Sequence, residues 1–145
     1  MLTHDSDQAV LTLLKTSSLV ETDFSTVAID ATLGEFVQVI SRSSRNIFPV
    51  IDSHHHFQGF VSLEDVRRDM FQTDLYEKRH VFNYMRSAPE YVYEGEGMES
   101  VMRKFEKTDA WNLPVVKDDR TYIGFVSKSK IFSAYRNELK VLSQD

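Results

Sequence analysis

The chain has 145 residues, 41% of them apolar and 27% charged, and a net charge of −5. That length suits one ordinary domain, the composition is globular rather than disordered, and the acidic balance lacks the basic footprint that nucleic acid binding requires. Cysteine is absent, which excludes a disulfide framework, a thiolate metal site and a cysteine nucleophile. There is neither an apolar run of about 18 residues nor a signal-peptide pattern, so a soluble domain facing a reducing cytosol is expected.

Asp7 to Lys15 reads as a short helix, with Ala9, Val10, Leu13 and Leu14 on one face and Asp5, Ser6 and Asp7 offering cap oxygens. Thr16, Ser17 and Ser18 break that pattern, and Leu19 to Ile29 is extended in character. Asp30 and Ala31 turn the chain. Thr32-Leu33-Gly34-Glu35 is a capping box, and it opens a helix striped by Leu33, Phe36, Val37 and Ile40. Asn46 to Asp52 is a short apolar strand containing Pro49. Proline donates no ladder hydrogen bond, so this strand is predicted to lie at an edge or to bend. Ser53-His54-His55-His56 forms a hairpin tip, Phe57 to Val61 the returning strand, and Ser62 caps a helix over Leu63 to Phe71. The stretch from Thr73 to His80 is polar, lacks either period and reads as a linker. Val81 to Met85 is a helical turn, and the order then recurs. Tyr91 to Tyr93 is extended, Gly95 to Gly97 turn, and a helix carries Met98, Val101, Met102 and Phe105. The strands Leu113 to Val116 and Tyr122 to Val126 flank a turn at 117–120, and a last helix starts at Lys128 and extends to Leu142.

The recurrence is an internal repeat. Pro49 to Pro114 is 65 residues, and so is Gly59 to Gly124. From Val27 to Val66, seven of forty pairs at this spacing are identical, and apolar positions stay apolar. Each half reads strand, helix, strand, strand, helix. A half of about 60 residues buries too little surface to be stable alone, so the halves are expected to pack on each other.

The doubled Pro-Val strand, and Gly59-Phe60-Val61-Ser62-Leu63-Glu64-Asp65 leading into a helix, resemble a tandem pair of cystathionine-beta-synthase (CBS) motifs. The resemblance spans about Val20 to Arg136. It implies an α+β (α/β) fold of two βαββα motifs, related by a pseudo-two-fold and packed through their sheets. The divisions are 1–18 as an N-terminal helix and linker, 19–72 as motif 1, 73–82 as a linker and 83–145 as motif 2. The runs 46–50, 67–71, 111–115 and 122–132 also resemble the cytoplasmic CBS tail of ClC chloride channels and chloride/proton antiporters. That resemblance implies a regulatory domain at the cytoplasmic face of a membrane, a transmembrane chloride-transport domain in the same protein, and a homodimer.

In CBS pairs, clefts between the two motifs often hold an adenine nucleotide, so AMP, ADP or ATP is the ligand implied, with no cofactor required. An aspartate can accept both ribose hydroxyls, and a serine hydroxyl with helix N-terminal amides suits a phosphate. Carried over by position, one site uses Ser62 and Asp65, lined by Asn46, Ile47, Phe48 and Pro49 and completed by Val20-Glu21-Thr22. Ser62 and Asp65 would equally serve as a helix cap. The matching positions of the second half are Trp111, Asn112, Leu113, Pro114, Ser127 and Lys130. Lysine has no acceptor, so that site is expected to be degenerate.

His54, His55 and His56 are expected to diverge as an exposed turn rather than bind a metal. Tyr91, Tyr93 and Trp111 are assigned by default to core packing or an interface. Glu94, Glu96 and Glu99 read as a solvated turn and helix start, and 128–140 as a solvated basic face. No nucleophile, base and orienting group cluster in sequence, so an enzyme is not expected. A dimerisation module without ligand and a free-standing nucleotide sensor are the alternative readings.

Overall fold

The computed structural model describes residues 14–143. The helix expected over 7–15 lies outside them, apart from Leu14 and Lys15, which are not helical. The elements in chain order are α1 (Thr16–Leu19), β1 (Val27–Ala28), α2 (Leu33–Arg42), β2 (Ile47–Ile51), β3 (Phe57–Ser62), α3 (Leu63–Val66), β4 (Val92–Tyr93), α4 (Met98–Thr108), β5 (Asn112–Val116), β6 (Tyr122–Ser127) and α5 (Lys128–Ser143). Short 3-10 turns cover Thr73–Leu75 and Val81–Asn83. The result is two three-stranded sheets, ordered β1-β2-β3 and β4-β5-β6, in the mixed α/β arrangement that the repeat implies.

Two compact units share these elements. The first comprises Asp23–Ala88 with Asp119–Tyr122. The second takes the residues up to Thr22, Pro89–Asp118 and those from Ile123 onward. The first is filled by Val27, Leu33, Phe36, Phe48, Val50, Val61, Val66 and Val81, with the Phe36 and Phe48 rings edge-on at 5.2 Å. The second is filled by Leu19, Val92, Met98, Val101, Phe105, Leu113, Val115, Val126 and Ile131.

The capping box forms as expected. Glu35 N–H donates to Thr32 Oγ1 at 3.1 Å, and Thr32 N–H donates to Glu35 Oε1 at 2.9 Å. The Thr32 amide and hydroxyl hold the Glu35 carboxyl below its usual range. The stretch 73–82 is docked on the first unit. Its carbonyls at Arg79 and Tyr76 accept the otherwise orphaned amides of Leu33 (2.8 Å) and Gly34 (3.1 Å) at the start of α2.

Of the two expectations for Pro49, the edge position is not met, whereas the β2–β3 pairing does shift register between Val50 and Ile51, just past the proline. β2 is central, between β1 and β3. Pro49 lies opposite Phe60, whose amide and carbonyl both turn outward to Arg86. That makes a non-hydrogen-bonded pair, which asks nothing of the proline nitrogen. On the other side, the two residues of β1 pair with Val50 and Ile51, past the proline.

Three local expectations are also corrected. Thr16–Leu19 is a helical turn rather than a break, because Leu19 is buried and the Thr16 hydroxyl donates to the Glu96 carbonyl at 2.7 Å. Between Leu19 and Ile29, only Val27–Ala28 is strand. The helix expected over 63–71 stops at Val66. Beyond it the chain runs in turns held by Tyr76 Oη on the Met70 carbonyl (2.6 Å) and Tyr84 Oη on Asp69 Oδ2 (2.7 Å). Burial, then the Asp69 carboxylate, push the Tyr84 hydroxyl up to about 12.

Candidate ligand site

Each unit is closed by a crossing segment. Arg86 pairs with Phe60 of β3, and Glu21 pairs with Phe125 of β6. Glu21 and Arg86 are themselves 65 residues apart, so the repeat extends further back than Val27. The two repeated glycines lie beneath these crossings. A Cβ on Gly59 would stand 2.5 Å from the Arg86 carbonyl oxygen, and one on Gly124 would overlap the Glu21 carbonyl oxygen. Only glycine admits the crossing backbone.

The crossing segments also explain the divergence of Asp65 and Lys130. Asp65 accepts from Arg86 Nε at 2.9 and 3.0 Å and from Nη2 at 2.5 Å. In the other unit, Lys130 Nζ lies 3.8 Å from Glu21 Oε1. Residues 21 and 86 correspond, as do 65 and 130, so the two latches are ion pairs of opposite polarity. Sequence reasoning missed Arg86, although the register of Val20-Glu21-Thr22 onto Met85-Arg86-Ser87 carried the signal.

Asp65 is also the N3 residue of the α3 cap, accepting Ser62 N–H at 3.0 Å. Its side chain is 8% exposed and that of Arg86 64%. Burial pushes the Asp65 carboxyl up, but the Arg86 hydrogen bonds, the Ser62 bonds and the Arg86 charge outweigh it and leave it below its usual range. In the second unit, the amide of Lys130 donates to Ser127 Oγ at 3.1 Å.

Asn46, Ile47, Phe48, Pro49, Ser62 and Asp65 belong to one unit, and the Asn46 carbonyl accepts Leu63 N–H at 2.8 Å. Phe48 and Pro49 are buried, Phe48 fully, so Phe48 presents no free side-chain surface. Thr22, expected beside Asp65, falls in the other unit with Trp111, Asn112, Leu113, Pro114, Ser127 and Lys130. There Leu113 and Pro114 are buried, while Trp111 is 68% exposed. Lys128 Nζ lies 5.3 Å from the centre of the Trp111 ring.

This second unit holds a cleft of about 160 Å³. Val20, Tyr93, Val115 and Ile123 give it an apolar lining, and Thr22, Glu94 and Gly95 are exposed. The histidine tip is ordered by Asp52, which accepts the amides of His54 (2.8 Å) and His56 (2.9 Å). The His56 and then the His54 amide hydrogen bonds, with His56 itself, outweigh desolvation and lower the Asp52 carboxyl. The rings of His54 and His56 stack rather than diverge, with centres 5.9 Å apart. Among the described residues, no group of three or more His, Asp or Glu side chains could hold a metal ion.

A βαββα unit written twice, each copy latched by a crossing segment, defines an internally duplicated α/β module. Residues 17–71 and 81–137 match the CBS domain family, and the chain belongs to it. It is 24% identical over 115 residues to the protein MJ1004 of Methanocaldococcus jannaschii, covering 78% of this chain and 52% of that protein. The chain therefore spans about half the length of that curated relative. A CBS domain pair/ACT domain protein from Thermotoga maritima is similar in structure, with a TM-score of 0.65 and 27% identity, over 87% of this chain and 99% of that one. CbpB, solved in complex with c-di-AMP, gives a TM-score of 0.75 at 15% identity, over 97% and 96% of the two chains. No helix among the described residues is long and apolar enough to cross a membrane.

Proposed function

We infer that this CBS pair is a regulatory module that binds an adenine nucleotide. The observation that carries the reading is the cleft of the second unit. Its apolar lining, with Tyr93, suits a purine. At about 160 Å³ it is smaller than the several hundred Å³ of a typical small-molecule site, so it takes the base and leaves ribose and phosphates outside. Exposed Glu94 supplies at the rim the carboxylate acceptor for a ribose diol that Lys130 cannot provide. The complex of CbpB with an adenine dinucleotide supports the same ligand class.

Ligand binding regulates only if it favours one arrangement of the module over another, and a homodimer is the arrangement we expect it to bias. Attachment to a chloride-transport domain at the cytoplasmic face of a membrane rests on the sequence resemblance alone. A second reading places the nucleotide at Asp65, where the exposed side chain of Arg86 would swing from the carboxylate to a phosphate.

Titration with AMP, ADP, ATP and c-di-AMP at millimolar levels, followed by calorimetry and melting temperature, tests the function. The cleft reading expects Thr22→Trp to abolish binding and Glu94→Ala to weaken it about tenfold or more, since a hydrogen bond to a charged group is worth about 1.5–3 kcal/mol. It expects Asp65→Ala to leave binding intact. The reverse pattern selects the Asp65 site, and no binding of any of the four overturns the function.

A further inference from the structure

The duplication shows what one groove of the first unit lacks. Beside α2 and the edge strand β1 lies an open groove of about 450 Å³, lined in part by Ala28, Ala31, Glu35, Val39 and Arg42, with the Glu35 carboxylate engaged by the Thr32 amide and hydroxyl. At the matching positions of the second unit the chain supplies its own charged partners. Lys104, at the position of Val39, donates to the Tyr91 carbonyl at 2.7 Å and to Glu96 Oε1 at 2.8 Å. Glu96 stands at the position of Ala31. Lys107, at the position of Arg42, holds the Glu90 carboxylate at 3.5 Å. The first unit has Ser25 where the second has Glu90, so Arg42 keeps a cation with no carboxylate opposite it. Among the described residues Arg42 is exposed and enters no ion pair.

The backbone offers a second handle. β1 is the edge of its sheet. Ile29 N–H donates to the Ile51 carbonyl at 2.9 Å, so by alternation Ala28 N–H points to the open edge. The Ala28 carbonyl already accepts Ala31 N–H at 3.1 Å, so the Ala28 amide is the donor that an added extended segment would meet there.

We propose that the groove between β1 and α2 binds an extended, acidic peptide segment of a partner protein, which pairs with the edge of β1 and places a carboxylate on Arg42. The charge complementarity is the one that Glu90 and Lys107 realise in the other unit. The site is separate from the nucleotide cleft and does not depend on that reading.

The test uses the full chain and a fluorescein-labelled peptide of alternating glutamate and valine, six residues long, read by fluorescence anisotropy. Binding is expected for this peptide, and binding at least about tenfold weaker for its lysine-for-glutamate counterpart, as charge pairing of this kind implies. Ala31→Glu with Val39→Lys transplants the charged pair of the second unit and should abolish binding. Arg42→Glu, at an exposed position, should reverse the preference between the two peptides while leaving the circular dichroism spectrum unchanged. Absence of binding to the parent chain overturns the proposal, as does binding that survives both variants. A dimer of the free protein that this transplant breaks also overturns it, because the occupant is then a second copy of the chain.

Discussion

Gly124→Ala should unlatch the second unit. The new methyl group would overlap the Glu21 carbonyl oxygen and stand 2.9 Å from Val20 Cγ1. A backbone oxygen cannot step aside as a side chain does. It is tied by Phe125 N–H donating to Glu21 O at 3.0 Å and Glu21 N–H donating to Phe125 O at 2.8 Å. Overpacking of this kind costs about 1–3 kcal/mol, and losing one of the two hydrogen bonds adds about 0.5–1.5 kcal/mol. The expected loss is therefore about 1.5–4.5 kcal/mol. Gly59→Ala should behave alike, with its Cβ 2.5 Å from the Arg86 carbonyl oxygen and 2.7 Å from Met85 Cγ. Gly97→Ser is the control. Nothing lies within 4 Å of a Cβ there, φ is −68° at the N-cap of α4, and serine is a preferred cap. Urea unfolding should be followed by far-UV circular dichroism and by the fluorescence of Trp111, which is the single tryptophan and lies in the second unit. A Gly124→Ala protein within about 0.5 kcal/mol of the parent, the range of an ordinary surface substitution, would refute the crossing-backbone argument.

Two further outcomes follow from the charges. In a double-mutant cycle on Glu21→Arg and Lys130→Asp, each single variant should lose stability and the double variant should regain it. The coupling should be no more than about 1 kcal/mol, because the Lys130 side chain is 48% exposed. Acid should weaken the second unit through Glu96. Burial raises its carboxyl, but hydrogen bonds from Lys104, Ser100 and the Tyr93 amide, with the Lys104 charge, outweigh that and hold it below its ordinary 4.5. Its stabilisation is therefore complete above pH 4.5 and is lost as pH falls through the folded value. Asp65 and Asp52 act in the same sense below 3.8. Urea midpoints measured from pH 7 downward should show an acid limb that Glu96→Gln makes shallower.

What the sequence discloses is what neighbours in sequence decide. The Thr32–Glu35 box, the stripe of α4 and the doubled Gly-Phe-Val-Ser strand depend on residues a few positions apart, and all are present. The position of Pro49 in its sheet was not legible, because it depends on how short β1 is and on where Phe60 sends its hydrogen bonds. The end of α3 depends on hydroxyls arriving from Tyr76 and Tyr84. At the candidate site, the contrast between Asp65 and Lys130 was visible, but its meaning was not. Arg86 and Glu21 complete those pairs only after the chain has crossed over β3 and β6.

The two crossings differ in how much chain each must gather. Phe60 and Arg86 are 26 residues apart, whereas Glu21 and Phe125 are 104 apart. Two doublings of loop length add about 1.2 kcal/mol of closure entropy, and non-local pairing slows folding. The β1–β3 sheet with its Arg86 crossing can therefore close while the rest of the chain is still leaving the ribosome. The other unit waits for β6, and until then the segment around Glu21 has no strand to pair with. Closure entropy thus favours the half latched by Asp65 forming before the half latched by Lys130, although the two are nearly equivalent once folded.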